Sequence, residues 1–256
     1  MRRRSQGASP RIIEAEVRVW PKWLALLAGV MILLAGLIWG TMQLMNPQTM
    51  PLTSVRIDTP LAQVKPEELR EHILPHAEGG FIHLDVNRLR QDLEALAWVE
   101  RASVRRAWPD VLVISIREQQ AVARWADGGL LNPRGERFTP AQEDMLNWGH
   151  LPLLRGPDAS EQVVLKQYLE LQAMVAPLDV RISHLTMDER RAWSLQLEHG
   201  MHIGLGRTDV ERRLMRFVRV YPRVLQPRLV AIESVDMRYT NGFAIRWRDG
   251  MQPAAA

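Results

Sequence analysis

The stretch WLALLAGVMILLAGLIWGTMQLM, residues 23–45, decides how the rest of the chain is read. No charged residue falls between Lys22 and Arg56. About 20 apolar residues at about 1.5 Å each match a hydrocarbon core of about 30 Å, and in lipid such a stretch must be helical to satisfy its own backbone. The competing reading is a cleaved secretory signal, whose apolar region is usually about 7–15 residues and ends in a small-residue cleavage site. This run is longer, and residues 42–50 offer no such site. The expectation is an uncleaved single-pass helix.

The flanks set its direction. Arg2, Arg3, Arg4, Arg11, Arg18 and Lys22 precede it against Glu14 and Glu16, and the next cations are Arg56 and Lys65. Positive-inside bias places the N-terminus in the cytoplasm and residues 46–256 outside, with Trp20, Trp23 and Trp39 near the two interfaces. Six of the 33 cations and two of the 29 acids precede the span, so 27 of each follow it. The outer portion is neutral, the excess of +4 is a topology signal, and a nucleic-acid role loses its support. Cysteine is absent, which excludes a disulfide framework and any thiolate metal site. The layout expected is a disordered tail (1–22), the span (23–45), a first outer domain (51–126), a second (127–250) and a frayed end (251–256).

In the first outer domain Val55 and Ile57 mark a strand. Lys65-Pro66-Glu67-Glu68 opens a helix with acids at its positive end; Leu69, Ile73 and Leu74 form its buried face, and Pro75 and Gly79-Gly80 end it. Asp85 caps a second helix whose Val86, Leu89, Leu93 and Leu96 repeat at helical spacing. A hairpin follows, turning at Trp108-Pro109-Asp110, with Leu112, Ile114 and Ile116 on one face of a strand running to Trp125.

In the second domain, residues 130–138 read as a hairpin around Pro133 and Gly135, and Ser160 or Asp158 caps a helix bearing Val164, Tyr168, Leu171 and Val175, stopped by Pro177. Strands are expected at 182–187, 193–197 and 201–205. Thr208-Asp209-Val210-Glu211 reads as a capping box, opening a helix with Arg212, Arg216, Arg219 and Arg223 along one side and Pro222 splitting it. Residues 232–239 and 243–248 then form a hairpin about Asn241-Gly242.

Chemistry is poorly represented. The chain has no Ser-x-x-Lys, Gly-x-Ser-x-Gly or cysteine nucleophile. Gly204-Leu205-Gly206 is followed by Asp209 where a dinucleotide loop needs its third glycine. His72 and His76 are separated by Pro75, and His199 and His202 straddle a turn; both pairs read as surface histidines. No cofactor is expected. Binding features are stronger: the last strand has no successor to pair with, carries Phe243, Ile245 and Trp247 on one face, and offers unpaired backbone groups, Ala244's N–H among them, to an added strand.

A small βααββ unit with two helices on one face of a short sheet resembles the polypeptide-transport-associated (POTRA) domain. The run Val104-Arg105-Arg106-Ala107-Trp108-Pro109-Asp110-Val111-Leu112, with Glu118 and Val122-Ala123-Arg124-Trp125, resembles the FtsQ/DivIB family of bacterial cell-division proteins. So do Asn132-Pro133-Arg134-Gly135-Glu136, Leu151-Pro152-Leu153-Leu154-Arg155-Gly156-Pro157, Arg190-Arg191-Ala192-Trp193, Leu205-Gly206-Arg207 and Val235-Asp236-Met237-Arg238-Tyr239. One departure is Ala121, where the family usually carries Pro.

The resemblance implies an α+β fold: a single transmembrane helix, a POTRA domain and a second mixed domain with a mainly antiparallel sheet. It implies a non-catalytic inner-membrane scaffold enriched at the division septum, binding FtsB and FtsL, acting indirectly on FtsW and FtsI, with FtsK and FtsN as further partners. By the same resemblance FtsB would add a strand beside the terminal strand. Arg238 would pair with a partner carboxylate, and Tyr239, Gly242 and Trp247 would shape the contact. Arg190 or Arg191 would add a charged contact. The arginine stripe that includes Arg216 and Arg219 reads as a solvated face, the alternative being a surface for an acidic segment of the partner's coiled coil. The alternatives are a membrane-anchored periplasmic adaptor and a cell-wall hydrolase not specific to division.

Overall fold

The computed structural model describes residues 22–44, 53–77, 80–240 and 242–249. The tail, the exit from the span, Gly79, Asn241 and the last residues lie outside them. Helix α1 (Lys22–Leu44) holds the apolar run; over Trp23–Gln43 its mean hydropathy is 2.2, and none of that surface is covered by the rest of the chain.

The first outer unit follows as β1 (Ser54–Ile57), α2 (Pro66–Ala77), a single turn α3 (Gly80–His83), α4 (Val86–Glu94), β2 (Val99–Ala107) and β3 (Val111–Glu118). Its three strands lie in the order β1-β3-β2, with β1 parallel to β3 and β2 antiparallel to it. Asp85 caps α4 as expected, its carboxylate accepting from the N–H groups of Asn87 and Arg88. Leu89 and Leu93 pack with Leu69 and Ile73 of α2 against Leu112, Ile114 and Ile116. Two expectations fail on α2. The helix runs through Pro75 to Ala77, and Leu74 is exposed. A proline so close to the C-terminus disturbs only the last turn, and Leu74 sits off the Leu69 and Ile73 stripe.

The strand expected to reach Trp125 is two strands. Glu118 ends β3 because its carboxylate turns back to accept from the N–H groups of Ala62, Gln63 and Val64 at 2.8–3.0 Å. After residues 119–122 the chain enters another sheet as β4 (Ala123–Trp125). Thus 123–125, expected in the first unit, belong to the second sheet.

That sheet has nine strands. Its remaining members are β5 (Leu130–Leu131), β6 (Arg137–Phe138), β7 (Leu153–Arg155), β8 (Ile182–Met187), β9 (Trp193–Leu197), β10 (His202–Gly206), β11 (Ile232–Asp236) and β12 (Ala244–Trp247), and a short α5 (Gln142–Met145) follows β6. Their order is β12-β11-β10-β9-β8-β7-β4-β5-β6, mostly antiparallel, so the fold is α+β. Helices α6 (Glu161–Val175) and α7 (Val210–Val220) cover one face: Val164, Leu171, Leu214 and Phe217 bury against Leu185, Leu195, Ile203 and Val235. Ser194 and His202 stand exposed on the other face. Pro222 splits the helix as expected, through a π-helical turn at Tyr221–Leu225. The capping box does not form: Asp209 occupies the N-cap with φ 55° and binds no helix N–H, because its carboxylate pairs with Arg212 at 2.6 Å.

The two sheets share a core. Leu130 and Phe138, from the second sheet, complete the apolar cluster of the first. Trp98 meets Phe138 edge-to-face at 5.3 Å and Trp148 in a tilted pair at 5.5 Å, and its indole N–H donates to Asp144 at 3.4 Å. Around that contact Arg134 binds Glu100, and Asn132 donates to Gln119. Trp98→Ala is therefore expected to cost about 3–5 kcal/mol in chemical denaturation. It is also expected to split one unfolding transition into two, which fluorescence and circular dichroism would show as non-coincident curves.

Candidate binding edge and its arginine cluster

Among the described residues strand β12 is the outermost strand of the large sheet and pairs only with β11, antiparallel. Arg248's N–H donates to Ala231's carbonyl at 2.8 Å. Along an antiparallel strand the backbone groups alternate sides, so those of Arg248, Arg246 and Ala244 face β11 and those of Phe243, Ile245 and Trp247 face away. The expectation for Ala244's N–H is thereby corrected: it points into the chain's own sheet. Side chains follow the predicted pattern, with Phe243, Ile245 and Trp247 packed against the core and Ala244, Arg246 and Arg248 exposed. The hairpin joint is longer than a two-residue turn, since β11 stops at Asp236 and β12 starts at Ala244. Within it Tyr239 is 58% exposed, and Gly242 has no atom near the position a Cβ would take.

Strand directions gather the arginines. β8, β10 and β11 run the same way, so their C-terminal ends carry the 188–192 turn, the start of α7 and the 237–243 connection side by side. Arg190 and Arg191 stand exposed on that turn, whose shape is fixed by Asp188 accepting from Ala192's N–H and by Arg191's φ of 60°. Arg216 is not on a solvated face. Half-buried, it donates to the carbonyls of Met237, Tyr239 and Thr240 at 2.7–3.0 Å, tying the joint to α7. Arg219, one turn on, is exposed and makes no hydrogen bond to the joint.

Arg238 is already paired. Its guanidinium meets Asp236 at 2.6 Å and 2.9 Å, and its N–H donates to the same carboxylate. These hydrogen bonds hold Asp236 below the usual carboxylate range. A partner carboxylate would share Arg238, not find it free. Sequence reasoning missed Asp236, and also Arg213, which donates to Leu205's carbonyl at 2.6 Å. A Cβ on Gly206, where φ is 79°, would lie 2.6 Å from Arg213 and 3.2 Å from Arg238. The glycine read against a nucleotide loop is there to let two arginines cross the strand end.

His76 bonds Asp92 at 2.6 Å, and His199 stacks on Tyr221 with burial lowering its pKa, so neither is the plain surface histidine expected. Among the described residues no three His, Cys, Asp or Glu side chains group as metal ligands.

The family model for the C-terminal region of cell division protein FtsQ/DivIB matches residues 123–238, and the model for the FtsQ-type POTRA domain matches residues 50–119. Cell division protein FtsQ of Coxiella burnetii is 36% identical over 239 residues, 93% of this chain and 96% of the relative. The chain belongs to the FtsQ/DivIB family. FtsQ of Xanthomonas campestris pv. campestris is 40% identical over 77% of this chain and 70% of its own length, and FtsQ of Hahella chejuensis is 31% identical over 93% and 80%. Membership in FtsQ/DivIB supports a cell-division role, and α1 suggests single-pass anchoring.

Two outcomes follow from this geometry. Arg216→Ala leaves three carbonyls without their donor, at about 1–3 kcal/mol, and hydrogen exchange across 237–243 is expected to accelerate while the 182–206 strands keep their protection. The depressed Asp236 pKa stabilises the joint above the ordinary aspartate value of about 3.9, and that contribution is lost as pH falls through the lower folded value. Asp236→Asn is expected to be less stable than the parent at pH 6 by an amount that shrinks towards acid, read from denaturation midpoints across pH.

Proposed function

We propose that this chain is a bitopic inner-membrane scaffold of the division machinery, with its N-terminus cytoplasmic, that captures FtsB by strand addition to β12. The observation that carries the reading is an edge strand whose outward N–H and C=O groups, at Phe243, Ile245 and Trp247, have no strand beside them among the described residues. An extended segment laid there satisfies those groups. Tyr239 and Gly242 stand at the entry, Trp247 underlies the far end, and Arg190, Arg191 and Arg238 offer charge to acidic residues of the guest. Arg216 serves as a clamp on the joint, and Arg219 remains open to an acidic helix. FtsL joins through FtsB, control reaches FtsW and FtsI indirectly, and FtsK and FtsN act as recruiting partners of the POTRA unit. The role is binding, with no bond-making step and no cofactor.

The test separates backbone from side chain. Ile245→Ala keeps the outward N–H and Ile245→Pro removes it, so only the proline variant is expected to lose capture of the soluble region of FtsB in calorimetric titration. Tyr239→Ala should weaken capture about tenfold or more, as hot-spot aromatics do. Equal affinity of the proline variant and the parent would overturn strand addition.

A further inference from the structure

At the other end of the molecule an exposed indole has no role in the edge site. Trp108 is 71% exposed at the β2–β3 turn. β1 is parallel to β3, with Ser54 opposite Val111, and Thr53's N–H donates to Asp110's carbonyl at 3.2 Å. The turn therefore stands beside the residue at which the chain arrives from α1. Nine residue steps separate Leu44 from Thr53, a reach of at most about 32 Å. α2 starts beside the Glu118 end of β3 and runs back, so Leu74, 52% exposed, lies towards the same end, next to Val55, 38% exposed. Arg56, between Val55 and Ile57, is exposed beside them. Trp108 is held by its edge-to-face contact with Phe81 at 5.7 Å, which fixes its place without covering it.

We infer that this end is a foot on the outer surface of the membrane, with Trp108 in the headgroup region and Leu74 and Val55 at the acyl boundary. Indole rings favour that region because they present an apolar body and one N–H donor, and exposed aliphatic groups gain by leaving water there. The occupant is the bilayer because nine residue steps tie this end to the close of the apolar helix α1. The inference rests on the single-pass reading of α1.

The chain holds no cysteine, so single cysteines can carry an environment-sensitive dye in the full chain reconstituted into phosphatidylethanolamine–phosphatidylglycerol vesicles. Labels at Leu33→Cys, Leu74→Cys and Gln120→Cys report the span, the foot and the opposite end of the domain. Brominated acyl chains are expected to quench Leu33 and Leu74 and to spare Gln120, and Trp108→Ser in the Leu74→Cys chain should cut the docked-to-undocked ratio about tenfold. Quenching at Leu33 with none at Leu74 overturns the foot and leaves the anchor standing. No quenching at Leu33 overturns both. Quenching at Leu74 unchanged by Trp108→Ser overturns the role of the indole.

Discussion

The contact on which the architecture turns is the Trp98 joint. Without Leu130 and Phe138 the first core would lie open at the Glu118 end, and without Trp98 those two side chains would be exposed from two-residue strands too short to hold them. Aromatic pairs of this geometry contribute about 0.5–1.5 kcal/mol each beyond area burial. Here the polar bonds of Asp144, Arg134 and Asn132 ring them and fix their orientation. Two sheets that a sequence reading separates thus share apolar side chains. The end of the body nearest the span and the edge at β12 are held at a set distance from one another.

The site at β12 is built from helix and sheet together. The joint between Asp236 and Ala244 is anchored by Met237, buried in the core, and by Phe243, packed against it; between them Arg238, Tyr239 and Thr240 are exposed, and α7 reaches the joint's carbonyls. Arg216 collects three of them, Arg213 takes a fourth from β10, and Asp236 holds Arg238 flat across Gly206. Burial holds the two ends of the joint and charge holds its exposed middle.

Periodicity made most of this legible. Helical stripes at Leu89 and Leu93, alternation at Leu112 to Ile116 and at Phe243 to Trp247, the Asp85 cap and the Pro222 break all follow local rules, and the structure keeps them. What stayed hidden depends on residues far apart in sequence. Glu118 ends a strand by binding N–H groups more than fifty positions earlier. Asp209 abandons a capping box for an ion pair. Arg216 looks like one of a stripe until its carbonyl partners arrive from the joint after β11. The direction of Ala244's N–H depends on register, which one residue of slip reverses.

The two margins of the large sheet are unlike. β6 has two residues, and its Phe138 is consumed by the neighbouring core, whereas β12 has four and lies bare on its outer side. Among the described residues the sheet therefore has one margin long enough to accept an added strand. A strand added at β12 would thus leave no second margin of equal length among the described residues for the next copy to use.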